Sequence, residues 1–296
     1  MTGVTPLPDL SIRQLEYLVA TDDESTWAQA ADSVGVSASA LSQGLAELER
    51  RLGLSLFDRD GRRRTLRPSA QPVLAHARQV LGLTGDLARW ADRQRTGAEG
   101  TVRLGMIDAA AVLHFPDTLR EFRLASPGVD VLLRVAPSAQ LLRWLVGGEL
   151  DLIVCVEPPV GRDADARPFD VTALLVEELA VYGPPGATTE LPSAWGPWVL
   201  YPRGSHTRAL IVAQLRARGA SLEVVAESHQ PDVLREMVRF GTGWTVLPRS
   251  QAEFGERPLD PGPTLLTRQL VVATRRGAVA DPAVDRLRDR LLAAAT

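Results

Sequence analysis

Arg59, Arg62, Arg63, Arg64 and Arg67 crowd around the dipeptide Asp60-Gly61. Asp-Gly is a strong hairpin-turn signal, and Phe57 and Leu66 on either side can anchor two short strands. A guanidinium forks onto phosphate oxygens in two parallel hydrogen bonds, where an ammonium acts as a point charge. The chain has no lysine, so all its side-chain cations above neutral pH are of the forked kind. A charge run is commonly just a solvated face. This one follows directly on a two-helix pattern, which favours contact with a phosphate backbone. Just upstream, Ser37, Ser39, Ser42 and Gln43 stand near the start of a helix. Helix starts of this kind enter the DNA major groove, where Gln pairs bidentately with adenine.

A second set of polar groups falls at strand-to-helix turns farther along: Asp108-Ala109-Ala110, Pro137-Ser138, Gly204-Ser205-His206-Thr207 and Ser228-His229-Gln230. In open α/β sheets, ligands lie beyond the carboxyl ends of the strands, against helix N-termini. Each hydroxyl can instead serve only as a helix cap. A helix start at Ser205 and Thr207 suits an anion or a strong acceptor, whereas a carboxylate at Asp108 suits a donor or a cation. Together they suit a ligand with both characters, such as an amino-acid-like or hydroxylated metabolite. The alternative is that Asp108 only caps its own helix. Adjacent Ser205 and His206 do not make a catalytic triad, because sequence adjacency does not orient a base onto a nucleophile. Asp108, Glu157, His206 and His229 form a weaker, metal-binding alternative. No phosphate-binding loop or zinc-protease helix motif is present.

These residues need particular elements to hold them. Ile12, Leu15, Leu18 and Val19 share one helical face, and Trp27, Ala30, Ala31 and Val34 a second. Ser25 and Thr26 stand ready to cap the second helix, and Ser37 a third after Gly35. Leu41, Leu45, Leu48 and Leu52 make one buried stripe on that third helix, which Gly53 ends. Two helices joined by a short Gly-bearing turn make a helix-turn-helix. Gly44 inside the third helix costs about 1 kcal/mol relative to Ala. It brings the backbone close either to DNA or to the second helix. From Pro68 to Gln94 the pattern is helical again. Val73, Ala77, Val80, Thr84, Leu87 and Ala91 repeat as a coiled-coil seam does, thickened by Leu74, Leu81 and Ala88. A helix of roughly 40 Å cannot bury that stripe alone. It packs on a second copy or, alternatively, on its own domain.

Beyond a polar Gly97–Gly100 hinge, strands and helices alternate, which implies an α/β parallel sheet. The buried strand "ELDLIVCV" leads through Glu157-Pro158-Pro159 and a charged loop into a second lobe, and the chain returns at "RQLVVATRR". The length of 296 residues admits two or three domains. Apolar residues at 45% and charged residues at 23% are ordinary for a globular protein. A net charge of -3 means that any DNA-binding surface must be local. The single Cys155 excludes an internal disulfide and a cysteine metal cluster. No segment has the pattern of a signal peptide or a membrane span, so a cytoplasmic location without membrane partner is expected.

The stretch "RQLEYLVATDDESTWAQAADSVGVSASALSQGLAELERRLGLSLFDRDGRRRTLRPSA" resembles the N-terminus of LysR-type transcriptional regulators. The matching pieces are Arg13-Gln14-Leu15, Ala30-Ala31, Val36-Ser37, Ala40-Leu41-Ser42, Leu48-Glu49, Leu52-Gly53 and Leu56-Phe57-Asp58-Arg59. "GELDL" and "GTGWTVLP" match that family's habits in the C-terminal half. The chain departs where the family commonly carries Gln and Arg, here Ala38 and Gln43, and where it carries Thr and Gly, here Arg67 and Ala70. These departures concern the target sequence, not the DNA-binding role.

The resemblance implies a winged helix-turn-helix over 1–67, a linker and dimerisation helix over 68–96, and an effector-binding domain over 97–296. That last domain would have the two-lobed, periplasmic-binding-protein-like (type 2) α/β fold. Lobe 1 would span about 100–157 and 262–296, and lobe 2 about 165–255. The implied protein is a regulator and not an enzyme, needs no cofactor, and binds double-stranded DNA and a small-molecule effector. It forms a dimer, commonly assembled to a tetramer. DNA contacts fall to Ser37, Ser39, Ser42, Gln43, Arg59, Arg62, Arg63 and Arg64. Effector contacts fall to Asp108, Ala109, Ser138, Ser205, His206, Thr207 and His229. A transport solute-binding protein would account for the C-terminal half alone, but not for the helix-turn-helix.

Overall fold

The computed structural model describes residues 9–60, 63–96, 100–159, 167–188, 191–255 and 257–295. They form two compact units. One comprises residues up to Asp92 with Val146–Gly148 and Gly277–Val279; the other comprises Arg93–Leu145, Glu149–Arg276 and Ala280–Thr296.

In the first unit, α1 (Ile12–Asp23) starts in a capping box: Ser11 Oγ accepts from Gln14 N, and Gln14 Oε1 accepts from Ser11 N. Of the two hydroxyls available to α2 (Trp27–Ser33), Thr26 caps, accepting from Gln29 N at 3.2 Å. Gly35, at φ 67°, makes the left-handed turn into α3 (Ala38–Leu52), a conformation that costs an L-residue about 1–2 kcal/mol. Ser37 caps α3, and Gly53 ends it at φ 66°. Leu41, Leu45 and Leu48 are fully buried against Leu15, Leu18, Ala30 and Ala31. Each such side chain contributes roughly 1.5–3 kcal/mol. Ile12, at the very start of α1, stays half exposed.

Strands β1 (Phe57–Asp60) and β2 (Arg63–Leu66) pair antiparallel, with Phe57 opposite Leu66. Two contacts fix this hairpin to the helices. Glu49 Oε1 accepts from Leu56 N at 2.7 Å, and Phe57 meets Trp27 edge-on at 5.3 Å. After a 3-10 turn at Pro68–Ala70, α4 (Gln71–Thr96) begins. The first part of its apolar seam is used within the unit. Leu74 and Ala77 are buried with the α1–α3 core, and Val73, Val80 and Leu81 pack partly against it. Arg78 pairs with Asp22 at 2.9 Å and with Asp23, tying α4 to the end of α1. Leu87 remains 55% exposed.

The second unit is built on a six-stranded sheet of order β4-β3-β5-β10-β6-β9 and a pair β7-β8. The strands are β3 (Thr101–Met106), β4 (Asp130–Val135), β5 (Leu152–Val156), β6 (Phe169–Tyr182), β7 (Trp198–Leu200), β8 (Val224–Glu227), β9 (Thr245–Pro248) and β10 (Thr264–Arg275). The all-parallel sheet expected from the alternation holds only for β4-β3-β5 and for β7-β8. Strand β10 runs antiparallel to β5 and β6, and β6 antiparallel to β9, because the chain leaves lobe 1 on β6 and returns on its neighbour β10.

The expected lobe limits move for the same reason. Phe169, Val171, Leu174 and Leu175 pack with the lobe 1 core, not with lobe 2 from 165 onward. Leu265 and Leu266 pack with lobe 2, although 262 was expected to open the return to lobe 1. The lobe 1 core is covered by α5 (Pro116–Ala125), α6 (Ser138–Val146) and α10 (Pro282–Ala294). Lobe 2 is covered by α7 (His206–Ala217), α8 (Pro231–Arg239) and the short α9 (Arg249–Ala252), around Trp195, Trp198 and Trp244.

Gly44 faces the first helix and not the second. A Cβ there would lie 2.7 Å from two ring carbons of Tyr17. Gly44→Ala gains about 1 kcal/mol of helix propensity, but overpacking of a buried contact costs roughly 1–3 kcal/mol. A net loss of about 1 kcal/mol is expected in urea unfolding; a variant more stable than wild type would show that the Tyr17 ring gives way freely.

Candidate functional site

Helix α3 separates its two faces cleanly. While Leu41, Leu45 and Leu48 are buried, Ser39 and Gln43, one turn apart, are exposed on the other side. Ser42 is half buried between the two faces. Ser37 is exposed but engaged: its hydroxyl accepts from Ala40 N at 3.2 Å and lies 2.9 Å from the Ser39 hydroxyl. Residues 59, 60, 63 and 64 are placed by the β1–β2 register, which sets Arg59 opposite Arg64. Arg62, and the side chains of Arg59, Arg63 and Arg64, lie outside the described residues. Arg67 is turned to Asp58 on the neighbouring strand, at 2.8 Å.

In the second unit, a cavity of about 250 Å³ opens between the lobes. Its wall includes the strand ends that the topology aligns: Ile107 after β3, Val135 at the end of β4 and Ala136 after it, Val156 at the end of β5, Tyr201 after β7 and His229 after β8. Asp108, Ala109, Ser138, Ser205, Thr207 and His229 all line it. His206 does not. It faces a separate cavity of about 470 Å³ along α7, shared with Ser205, Arg208 and Arg216. Neighbours on a helix point about 100° apart, so Ser205 and Thr207 cannot bring His206 with them. Burial holds the His206 imidazole below its ordinary pKa.

Several of these polar groups already have partners. Ser205 caps α7 through Arg208 N, and Ser138 Oγ accepts from Val156 N at 3.1 Å. Asp108 accepts from Gln251 Nε2 at 3.0 Å, a contact that joins the lobes. Partial burial raises the Asp108 pKa, and the nearby carboxylate of Asp232 adds to the rise. Beyond Asp108 the chain makes a π-helical turn at Ala110–His114, with Phe115 N donating to Ala110 O, before Pro116 starts α5. Among the described residues no three His, Cys, Asp or Glu gather to hold a metal, so Asp108, Glu157, His206 and His229 do not form the metal group considered above.

Sequence reasoning missed the strongest charge in the cavity wall. Arg268 of β10 is only 5% exposed, and it stands directly opposite Glu177 of β6 in the strand register. Its Nε donates to Glu177 Oε2 at 2.7 Å, and its Nη1 donates to Thr207 Oγ1 at 2.9 Å. Glu177 Oε1 lies 2.8 Å from His114 Nε2. Burial pushes the Glu177 carboxyl upward. The His114 hydrogen bond and the Arg268 charge outweigh it, leaving the pKa below its ordinary value. Tyr201, Gln251 and Pro231 are further wall residues absent from the sequence expectation. A signal for the charges, though not for their pairing, was present: "LLVEELAVY" and "LLTRQLVVA" each carry a charge between apolar residues, and a buried strand charge must be paired.

Residues 95–296 match the family model described as LysR substrate binding domain, and residues 12–71 match the bacterial regulatory helix-turn-helix protein, lysR family. The chain belongs to the LysR family of transcriptional regulators. It is a DNA-binding transcription regulator with an effector-binding domain. The HTH-type transcriptional regulator IlvR of Caulobacter vibrioides is 28% identical over 269 residues, covering 85% of this chain and 88% of that protein. A probable hydrogen peroxide-inducible genes activator of Streptomyces viridosporus is 33% identical over 148 residues, 50% of this chain and 47% of that protein. The fold matches full-length CbnR crystallised with its target DNA, with a TM-score of 0.58 and 17% identity, covering 96% of this chain and 100% of that one. The relatives named here are regulators, and no helix among the described residues is long and apolar enough to cross a membrane.

Arg268→Met would leave Glu177 buried without its cation, at an expected cost of about 3–5 kcal/mol in urea unfolding. The double variant Arg268→Met/Glu177→Gln should recover a large part of that loss. Because the folded carboxyl titrates below its unfolded value, Glu177 contributes its full stability above the ordinary carboxylate range. That contribution is lost as pH falls through the folded pKa. Glu177→Gln should therefore flatten the acid limb of the stability curve; an unchanged limb would show that other carboxylates govern it.

Proposed function

We propose that this LysR-family regulator binds a small-molecule effector in the cavity between the lobes and reads operator DNA with α3 and the β1–β2 wing. The observation that carries the effector reading is the cavity itself, at the carboxyl ends of the strands and between the starts of α6, α7 and α8. Asp108, Ala109, Ser138, Ser205, Thr207 and His229 are its proposed contacts, to which Arg268, Tyr201 and Gln251 are added. His206 is not among them. Residues 97–296 are the proposed effector-binding domain, 1–67 the DNA-binding domain and 68–96 the linker. The protein works without catalysis in the cytoplasm, where bacterial DNA lies.

The name of the Streptomyces relative points to a peroxide response; in this chain one carried by a thiol is disfavoured. Such a response needs an accessible thiolate. Cys155 is fully buried on β5, and burial pushes its pKa up to about 12.

Ser39 and Gln43 are the proposed base readers, supported by their exposure opposite the buried stripe. Ser37 and Ser42 flank them, and Arg59, Arg62, Arg63 and Arg64 supply phosphate contacts. Gln43→Ala should relax preference at one base pair per half-site, a loss of roughly 1–3 kcal/mol of discrimination. A binding-site selection that returned the wild-type motif would remove Gln43 from the reading surface. Arg62→Ala with Arg64→Ala should flatten the slope of log affinity against log salt by about 0.9 per lost phosphate contact. An unchanged slope would take the wing off the DNA.

The exposed part of the α4 seam is the proposed dimer contact, with tetramers built from such dimers. Leu87→Asp is the cleaner probe than a change at Val80, since Val80 also packs within its own unit. Sedimentation should show Leu87→Asp as monomer; wild-type sedimentation would put the dimer contact elsewhere.

A further inference from the structure

Three features of the cavity wall bear on what it can hold. The first is a fixed guanidinium. Arg268 is held by two hydrogen-bonding contacts to Glu177 Oε2, at 2.7 and 2.6 Å, and by one to Thr207. These contacts use three of the five N–H groups that an arginine carries, and fix the plane of the rest. The Tyr201 hydroxyl is a further hydrogen-bonding neighbour of Arg268, and the Asp108 charge acts on the same hydroxyl. The second feature is the start of α7. Ser205 Oγ accepts from Arg208 N, and the first N–H groups of a helix have no intrahelical acceptor. Thr207, in that first turn, is the residue that Arg268 grips.

The third feature is the wall carboxylate Asp108, with a second carboxylate near it. Asp108 gives Oδ2 to Gln251, while Asp232, in the first turn of α8, acts on it as a second carboxylate. Asp232 is 82% exposed and is shared with Arg235 at 2.9 Å, so its charge is only partly offset. The rest of the lining mixes apolar residues (Ile107, Val135, Ala136, Val156 and Pro231) with the polar side chains of Ser138, His229 and Gln230.

We infer that the effector is a small amphoteric molecule whose carboxylate is received by Arg268, Thr207 and the start of α7, and whose ammonium is received by Asp108. The inference rests on the cavity being the effector site. Arg268 is a carboxylate receptor set in place before the ligand arrives. Glu177 fixes its orientation and cancels much of its charge, so a lone anion gains little from the site. The gain becomes large only when the same molecule brings a cation to Asp108. The volume of about 250 Å³ lies below the roughly 300–1,000 Å³ of sites for drug-sized ligands, which restricts the occupant to a compact metabolite.

Calorimetric titration of the full chain tests this with three arms. The first contains the standard L-amino acids together with 4-aminobutanoate and 6-aminohexanoate, which vary the spacing between the charges. The second contains the corresponding acids without the amine, and the third the amines without the carboxylate. At least one amphoteric compound should bind roughly tenfold or more tightly than both its acid and its amine. Asp108→Asn, whose amide oxygen can still accept from Gln251, should erase that advantage while leaving the acid's affinity unchanged or improved. Thr207→Val should weaken the acid and the amphoteric compound together.

An acid that binds as tightly as its amphoteric parent overturns the inference, as does an advantage that survives Asp108→Asn. Binding only by compounds outside these arms, such as neutral sugars, with competition sensitive to Tyr201→Phe, overturns the amphoteric class and leaves the cavity as effector site. If no member of a broad metabolite library binds, the effector reading falls with it.

Discussion

Strands β6 and β10 are the only connection between the lobes among the described residues that runs as a continuous ladder, and each strand belongs to both cores. Such a pair cannot carry an unmatched charge at its centre, because water is excluded there. Arg268 and Glu177 meet this constraint by facing one another in register. The pair then recruits one partner from each lobe: His114 from the π-helical turn and Thr207 from the start of α7. A single satisfied charge cluster thus ties the lobes to their shared strands. It also leaves a guanidinium in the wall of the cavity they enclose.

The same logic of satisfied polar groups recurs in the DNA-binding unit, with smaller charges. Glu49 is on α3, yet its carboxylate accepts from the backbone where the chain enters β1. Helix and wing are therefore registered to each other by this side chain. Arg78 does the same between α4 and α1, against Asp22 and Asp23. Close approach of α1 to α3 depends on Gly44, whose missing side chain is the space that Tyr17 occupies.

Local patterns in the sequence reached these features unevenly. The stripe Leu41-Leu45-Leu48, the cap Ser37 and the pairing of Phe57 with Leu66 involve neighbours within a few residues, and they were legible. The cavity positions at strand ends, including Asp108, Ser138 and Thr207, follow from a topological rule and were legible as well. His206 was not separable from its neighbours, because the direction of a side chain depends on where the helix begins. Arg268 and Glu177 are 91 residues apart, so no window along the chain contains the pair. Strand β6 carries charges and partly exposed positions over its first half, and no simple apolar alternation marks it.

Cys155 has a consequence for how this protein can be observed. The sole sulfhydryl of the chain is enclosed in the lobe 1 sheet and resists ionisation, and only thiolates react quickly with maleimides and related reagents. Two cysteines introduced on the surface, one on each lobe, would therefore carry spectroscopic labels without any need to remove a native residue first. The separation of the lobes becomes a distance that can be read in the otherwise natural protein while ligand is added.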